Sequence, residues 1–128
     1  MLEKLSSGLI ENVIDTLPVE ISFVDSDDVL QYFSRGDKRI FRRTPAVIGK
    51  KVQQCHPEKS VDKVQRILDD FKAGNRDSAQ FWIDLKGRLI YIRYFAVRDG
   101  AGKYQGTLEV TQDITEIKAI EGEKRLLD

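Results

Sequence analysis

Cys55-His56-Pro57 is the constellation in this chain with chemistry in reach. Thiolate and imidazole are both good ligands for haem iron or zinc. Adjacent residues seldom bind one metal. A four-ligand structural zinc site also needs partners that are missing, because Cys55 is the only cysteine and His56 the only histidine. Nucleophilic catalysis would need a base aimed at the thiol and a third group orienting that base. Neighbours in sequence rarely meet in that geometry, and no glycine-rich phosphate loop occurs. The plainer reading has Pro57 shape a turn, Cys55 pack as a small hydrophobe and His56 hydrogen-bond within a loop. Cys55 and His56 therefore stand as metal-ligand candidates with the metal unknown. No residue is assigned a catalytic role, and an enzyme is not expected.

Two charged stretches are the other candidates. Lys38, Arg39, Arg42 and Arg43 form a basic run of the kind that holds an anion. A solvated face, screened by Glu58 or by the acids at Asp25 to Asp28, is the simpler expectation. The stretch Asp25-Ser26-Asp27-Asp28 is acid-rich, yet it lacks the glycine and the closing glutamate of a calcium-binding loop, so it reads as a turn.

A chain of 128 residues favours one compact domain. Lys plus Arg equals Asp plus Glu, at 21 each, so no net attraction to nucleic acid or to an anionic membrane is indicated. No apolar run is long enough to span a bilayer. Met1-Leu2-Glu3-Lys4 lacks the pattern of a signal peptide. A lone cysteine fits a reducing compartment, and a cytoplasmic location is expected.

Leu2, Leu5, Leu9, Val13 and Leu17 recur at helical spacing and predict an amphipathic helix over 1–17, closed by Pro18. Ile21 to Val24 and Val29 to Phe33 read as two short strands. Residues 34–57 read as irregular with short helical pieces. Ser60 is the expected N-cap of a second firm helix with a stripe of Val61, Val64, Ile67, Leu68 and Phe71, ended by Gly74-Asn75. Three strand-like runs follow, separated by Lys86-Gly87 and by Asp99-Gly100-Ala101-Gly102. In the first, Ala79, Phe81, Ile83 and Leu85 share a face. The second is apolar on both faces, which predicts a central strand needing a cover on each side. In the third, Leu108 and Val110 are placed on the face opposite Thr107, Glu109 and Thr111. The run ends in Gln112-Asp113-Ile114-Thr115 and passes into a charged helical pattern. Asp113 or Thr115 can cap that exit helix near Glu116. The result is an α+β domain, one antiparallel sheet with helices on one face, in which the first helix or a partner subunit supplies the second cover.

These parts, in this order, resemble a PAS domain. The likeness runs from about Leu17 to Thr115 and is carried by Phe23-Val24-Asp25, Tyr32-Phe33-Ser34, Ile48-Gly49-Lys50, the long helix and the closing Asp113-Ile114-Thr115. The stretch from Ile40-Phe41-Arg42-Arg43-Thr44-Pro45 to Cys55-His56-Pro57 is similar to a subfamily often placed C-terminal to hemerythrin-like or uncharacterised domains.

The resemblance implies a five-stranded antiparallel sheet curled around a pocket, with the domain at 18–115, the amphipathic helix at 1–17 and an exit helix at 116–128. It implies a sensory or interaction module that binds a small molecule, or binds nothing and mediates pairing. Phe33, Ile40, Phe41, His56, Val64, Phe81, Tyr94 and Leu108 are the expected pocket lining, and Asp113 and Thr115 the expected relay. Haem remains open as a cofactor, since haem-binding relatives carry an axial histidine near the position of His56. A flavin-thiol photosensor is not expected, because its cysteine directly precedes an arginine whereas Cys55 precedes His56. The expected partners are a second copy of the chain, a small-molecule ligand and other domains of a longer chain.

Overall fold

The computed structural model describes residues 1–127. Asp128, the last residue of the expected exit helix, lies outside them. The chain forms α1 (Ser7–Thr16), β1 (Glu20–Asp25), β2 (Leu30–Phe33), α2 (Glu58–Ala73), β3 (Ser78–Leu85), β4 (Arg88–Arg98), β5 (Tyr104–Asp113) and a last helical turn, α3 (Thr115–Lys118). Four 3-10 turns lie at Leu2–Lys4, Gly36–Lys38, Pro45–Val47 and Val52–Cys55. The five strands make one antiparallel sheet in the order β2-β1-β5-β4-β3. This is the α+β arrangement expected from the sequence.

Turn chemistry fixes the hairpins. Asp25 Oδ1 accepts from Asp27 N at 2.9 Å and Val29 N at 3.0 Å, which folds β1 onto β2. Lys86 and Gly87, with φ of 52° and 82°, form the two-residue turn joining β3 to β4. Asp99 Oδ1 accepts from Ala101 N and Lys103 N, each at 2.9 Å, and closes the turn from β4 to β5. β1 and β5 then lie side by side, with Glu20 opposite Thr111 and Asp25 opposite Gly106.

Helix boundaries depart from the sequence reading at three places. α1 begins at Ser7 because the Ser6 hydroxyl accepts from Leu9 N at 3.1 Å and caps it there, leaving Leu2–Lys4 as a separate turn. α2 begins at Glu58, ahead of Ser60, with Pro57 at its N-cap, whose fixed φ suits that position. Gly74 ends α2 in the left-handed conformation, φ 77°. The exit helix is one turn, with Ala119 as its C-cap, and the region from Ile120 onward carries no helix among the described residues.

Two apolar clusters lie on the α2 side of the sheet. Val24, Leu30, Val52, Val64 and Leu68 form one; Phe71, Ile90, Ile92 and Tyr94 form the other. Burial of this apolar surface, at roughly 25 cal/mol per Å², is the main force that holds α2 on the sheet. The ladder registers assign the faces. Tyr94 pairs with Glu109, Ile92 with Thr111 and Ala96 with Thr107, so Thr107, Glu109 and Thr111 face α2. Leu108 and Val110 face the other way, opposite Phe95 and Arg93. The apolar residues of β5 therefore point away from the covered face.

On the outer face α1 reaches only the β2 end, because Tyr32 pairs with Phe23 and Phe23 with Leu108. That helix lies beside β2, where Asp15 Oδ1 accepts from Tyr32 Oη at 3.2 Å and from Arg35 N at 3.0 Å, and Ile10 and Ile14 border a groove with Tyr32. Burial and the Asp15 charge push the Tyr32 phenol up to about 12.

Gly106 shows why β1 and β5 can approach so closely. Its φ is +155°, and a Cβ there would sit 2.3 Å from the Val24 carbonyl oxygen. Gly106→Ala is expected to destabilise the fold by about 1–3 kcal/mol. Urea unfolding measures it, with Gly100→Ala as the control, since a Cβ at Gly100 meets nothing within 4 Å.

Candidate functional site

The covered face of the sheet carries charge that the irregular segment after β2 neutralises. Arg39 and Glu20 lie 3.3 Å apart with side chains 1% and 3% exposed. Arg39 donates to four further oxygens: Phe41 O at 3.0 Å, Ile21 O at 3.2 Å, Ser34 O at 3.1 Å and Ser22 Oγ at 3.3 Å. Glu20 accepts from Ile40 N at 2.5 Å and Phe41 N at 3.2 Å. Both ions are thus saturated with partners, the condition under which a buried ion pair is tolerated. Burial pushes the Arg39 guanidinium down and Glu20 pulls it back up.

A second pair is looser. Arg43 Nη2 lies 3.5 Å from Glu109 Oε2, with side chains 10% and 11% exposed. The basic run is therefore divided: Arg39 and Arg43 turn inward while Lys38 and Arg42 stay exposed. Its acids are Glu20 and Glu109. Glu58 is exposed at the start of α2, and Asp28 is engaged elsewhere, with Oδ1 2.9 Å from Lys72 Nζ and Oδ2 accepting from Gln53 Nε2 at 3.1 Å. The acid-rich turn thereby ties β2's hairpin to α2.

A cavity of about 10 Å³ lies between the sheet and α2, lined by Val24, Val52, Val64, Ile67, Leu68, Tyr94, Thr107 and Glu109. That volume is room for roughly one water molecule. Burial and the Glu109 charge push the Tyr94 phenol well above its ordinary range. Of the lining expected from the sequence, the cavity includes Val64 and Tyr94. Phe33 packs against the first apolar cluster and Phe41 against the second. Ile40 is 36% exposed and lies outside the cavity lining, and Phe81 sits at the sheet edge with its ring centroid 5.8 Å from that of Tyr94. Leu108 is a correction: it faces the outer side of the sheet, because register pairs it with Phe95 and Phe23. Thr107 and Glu109, its neighbours, take the place assigned to it. The signal that could have found Glu109 is the pairing of the inward basic residues with inward acids.

His56 is a second correction. Its Nδ1 lies 3.0 Å from Val52 O, so the ring folds back on its own loop and does not line the cavity. The Cys55 thiol, likewise, lies 3.7 Å from Lys51 O. No group of three or more His, Cys, Asp or Glu able to hold a metal occurs among the described residues. A haem, which the resemblance leaves open, does not fit this arrangement. The cavity holds about one water, and neither candidate ligand points into it.

Asp113 and Thr115 form a clamp at the end of β5. Asp113 Oδ1 accepts from Thr115 N at 3.0 Å and from Thr115 Oγ1 at 2.6 Å. Thr115 Oγ1 in turn accepts from Leu89 N at 2.9 Å, and Ile114 N donates to Leu89 O at 2.9 Å. Arg88 Nε donates to Asp113 Oδ2 at 2.7 Å, and its Nη2 donates to Glu116 Oε1 and Oε2 at 2.7 and 2.6 Å. The hydrogen bonds from Arg88, with those from Thr115, hold the Asp113 carboxyl at about 2, below its usual 3.8. One arginine at the start of β4 thus ties the end of β5 to the exit turn, and sequence reading did not single it out.

A five-stranded antiparallel sheet with a long helix on one face, a small interior cavity and a clamped exit turn defines an α+β module. A family model described as a PAS domain matches residues 10–115, and the chain belongs to that family. The structure is similar to that of a C-terminal domain from Streptococcus mutans, with 37% identity, 91% of each chain covered and a TM-score of 0.85. It is also similar to the PAS domain of BvgS from Bordetella pertussis, at 21% identity, 88% coverage of both chains and a TM-score of 0.64. A sensory box sensor histidine kinase from Vibrio cholerae matches at 16% identity, covering 88% of this chain and 94% of the other, with a TM-score of 0.61. No curated protein sequence matches. Among the described residues, no helix is long and apolar enough to cross a membrane.

The two inward arginines separate from their outward neighbours in stability. Arg39→Ala leaves Glu20 buried without its counter-charge and is expected to cost about 3–5 kcal/mol. Lys38→Ala and Arg42→Ala should each stay within about 0.5 kcal/mol of the parent. Denaturant unfolding of the three variants checks this.

Proposed function

We propose that this PAS domain is a non-catalytic input and relay module. A change of packing on the α2-covered face is carried along β5 to the clamp at Asp113 and Thr115 and resets the exit turn. The observation that carries this reading is Arg88. It grips Asp113 on the sheet and Glu116 on the exit turn at once, so a shift of β5 against β4 alters where the chain leaves. β5 is the middle strand of the sheet, and it holds Glu109 toward the cavity and Asp113 at the clamp. The sensory character of the family supports the same reading.

Asp113→Asn with Thr115→Ala is expected to accelerate amide hydrogen exchange at Leu89 and over residues 115–118 while leaving β1 protected. Unchanged exchange there would remove the relay. Acid offers a second check. Because the folded Asp113 carboxyl titrates at about 2, below its ordinary 3.8, its contribution is complete above the ordinary value and is lost as pH falls toward 2. The Thr115 and Leu89 amide resonances should report that loss together.

A second reading, self-pairing, is favoured by α1. Leu9 and Val13 on its stripe are 47% and 52% exposed, no residue of the helix is buried, and Trp82 on the outer sheet face is 63% exposed. A second copy placed with its α1 over that face would cover both surfaces. Sedimentation of the parent chain should show a dimer, and Leu9→Glu with Val13→Glu should return it to monomer. A monomeric parent at every concentration tested would remove this reading.

A further inference from the structure

The geometry points to the free edge of β3 as a contact between two copies of this chain, in which the two β3 strands pair antiparallel about a two-fold axis at Trp82. This contact is separate from the α1 pairing, because α1 lies beside β2 at the opposite edge of the sheet.

The two edges of the sheet are treated differently. β2 is closed: Leu30 N donates to Lys50 O at 2.9 Å, Gly49 N donates to Leu30 O at 2.8 Å, and Val29 bridges to Lys51. β3 has eight residues against four in β2, and nothing among the described residues bonds to its outward backbone. Ala96 N donates to Asp77 O at 2.9 Å, which sets the alternation. Asp77, Ala79, Phe81 and Ile83 turn their backbone toward β4, and Ser78, Gln80, Trp82 and Asp84 turn theirs outward. Native sheets blunt such an edge with lysine, proline or a bulge. β3 carries none of these, and its register with β4 runs unbroken from Ser78 to Leu85. Phe81, Trp82 and Ile83 are 37%, 63% and 38% exposed.

The strand is complementary to itself. With Trp82 opposite Trp82, the antiparallel register sets Gln80 opposite Asp84 and Phe81 opposite Ile83, and the axis repeats both pairs. Gln80, Trp82 and Asp84 each turn a free N–H and C=O to the facing strand, so each outward pair exchanges both main-chain hydrogen bonds. The side chains agree. Gln80 Oε1 already accepts from Tyr91 Oη, which leaves Nε2 to donate to Asp84 Oδ2, the oxygen that Gly87 N does not use. Lys86, in the turn after β3, comes beside the second copy's Asp77, whose side chain is exposed. A slip of two residues one way sets Lys86 opposite Arg76, and a slip the other way shortens the ladder. A single strand edge is a small contact beside stable interfaces, which bury roughly 1,200 Å² or more, so this pairing is weak and depends on concentration.

The test uses the 128-residue chain carrying Leu9→Glu and Val13→Glu, so that α1 pairing does not contribute. Trp82 is the only tryptophan and sits on the axis, so its emission should shift to the blue as the chain is concentrated from micromolar to millimolar. Gln80→Asp sets like charges opposite each other and should weaken association by about threefold to tenfold. Gln80→Lys faces Asp84 with the opposite charge and should strengthen it by about the same factor. Cross-linking fixes the register. With Cys55→Ser in every chain, a mixture of Gln80→Cys and Asp84→Cys should form a mixed disulfide several-fold faster than either chain links to itself. Directly opposed Cα atoms in such a pair lie about 5.5 Å apart, within disulfide reach. If Gln80→Asp fails to fold, Gln80→Lys and the cysteine mixture still decide. Emission indifferent to concentration overturns the inference. So does a response of the same sign to both Gln80 substitutions, or a mixture that links no faster than its components. A parent chain that dimerises through α1 but shows none of these β3 responses loses this inference and keeps the α1 reading. The β3 responses in a chain whose sedimentation ignores Leu9→Glu with Val13→Glu keep this inference and remove the α1 reading.

Discussion

The buried pairing of Arg39 with Glu20 is the constraint from which the interior follows. A sheet face covered by a helix is normally apolar, because ions removed from water lose several kcal/mol of solvation each. Here β1 and β5 present Glu20, Ser22, Thr107, Glu109 and Thr111 to that face, all buried. The arrangement holds because a segment with almost no regular structure folds two arginines underneath it. The guanidinium of Arg39 reaches the backbone of both flanking elements, so the same group that neutralises Glu20 also pins the irregular segment to the sheet. Hydrophobic burial sits to either side of this polar band, in two clusters that it separates.

Charge is used differently at the sheet's end. The Arg88 cluster is solvent-facing, so its attractions are screened by salt and its value lies in geometry more than in energy. Short hydrogen bonds aim three side chains at one junction, and the backbone of β4 joins them through Leu89. The interior pairs are shut off from water, whereas the exit cluster is short-bonded but open to it.

Much of the architecture was legible in the sequence because turn residues announce it. Lys86-Gly87, the Asp99 loop and Gly74 each take the conformation that their residue types favour. The strand alternation of β3 and the doubly apolar β4 were read correctly, since register places Ala79 and Phe81 beside Tyr94 and Ile92. The failure at β5 has a physical cause. Alternation shows that two faces differ, but it does not say which one α2 covers, and the apolar side of β5 turns away from α2. Pairing between Arg43 and Glu109, far apart in sequence, goes with the polar side facing inward. The same blindness to distant partners made the basic run look solvated. The Asp113 and Thr115 pair was visible because its bonds are local, whereas Arg88 was missed because its partners are a strand away.

The adjacency of β1 and β5 has a topological meaning of its own. With Glu20 opposite Thr111 in an antiparallel ladder, the polypeptide enters and leaves the sheet at a single corner. A domain so threaded behaves as a side loop on a continuous cord. Neighbouring segments can be joined through that corner without prising the body apart. α1 upstream and the exit turn downstream therefore adjoin the sheet at the same end, next to Glu20 and Asp113.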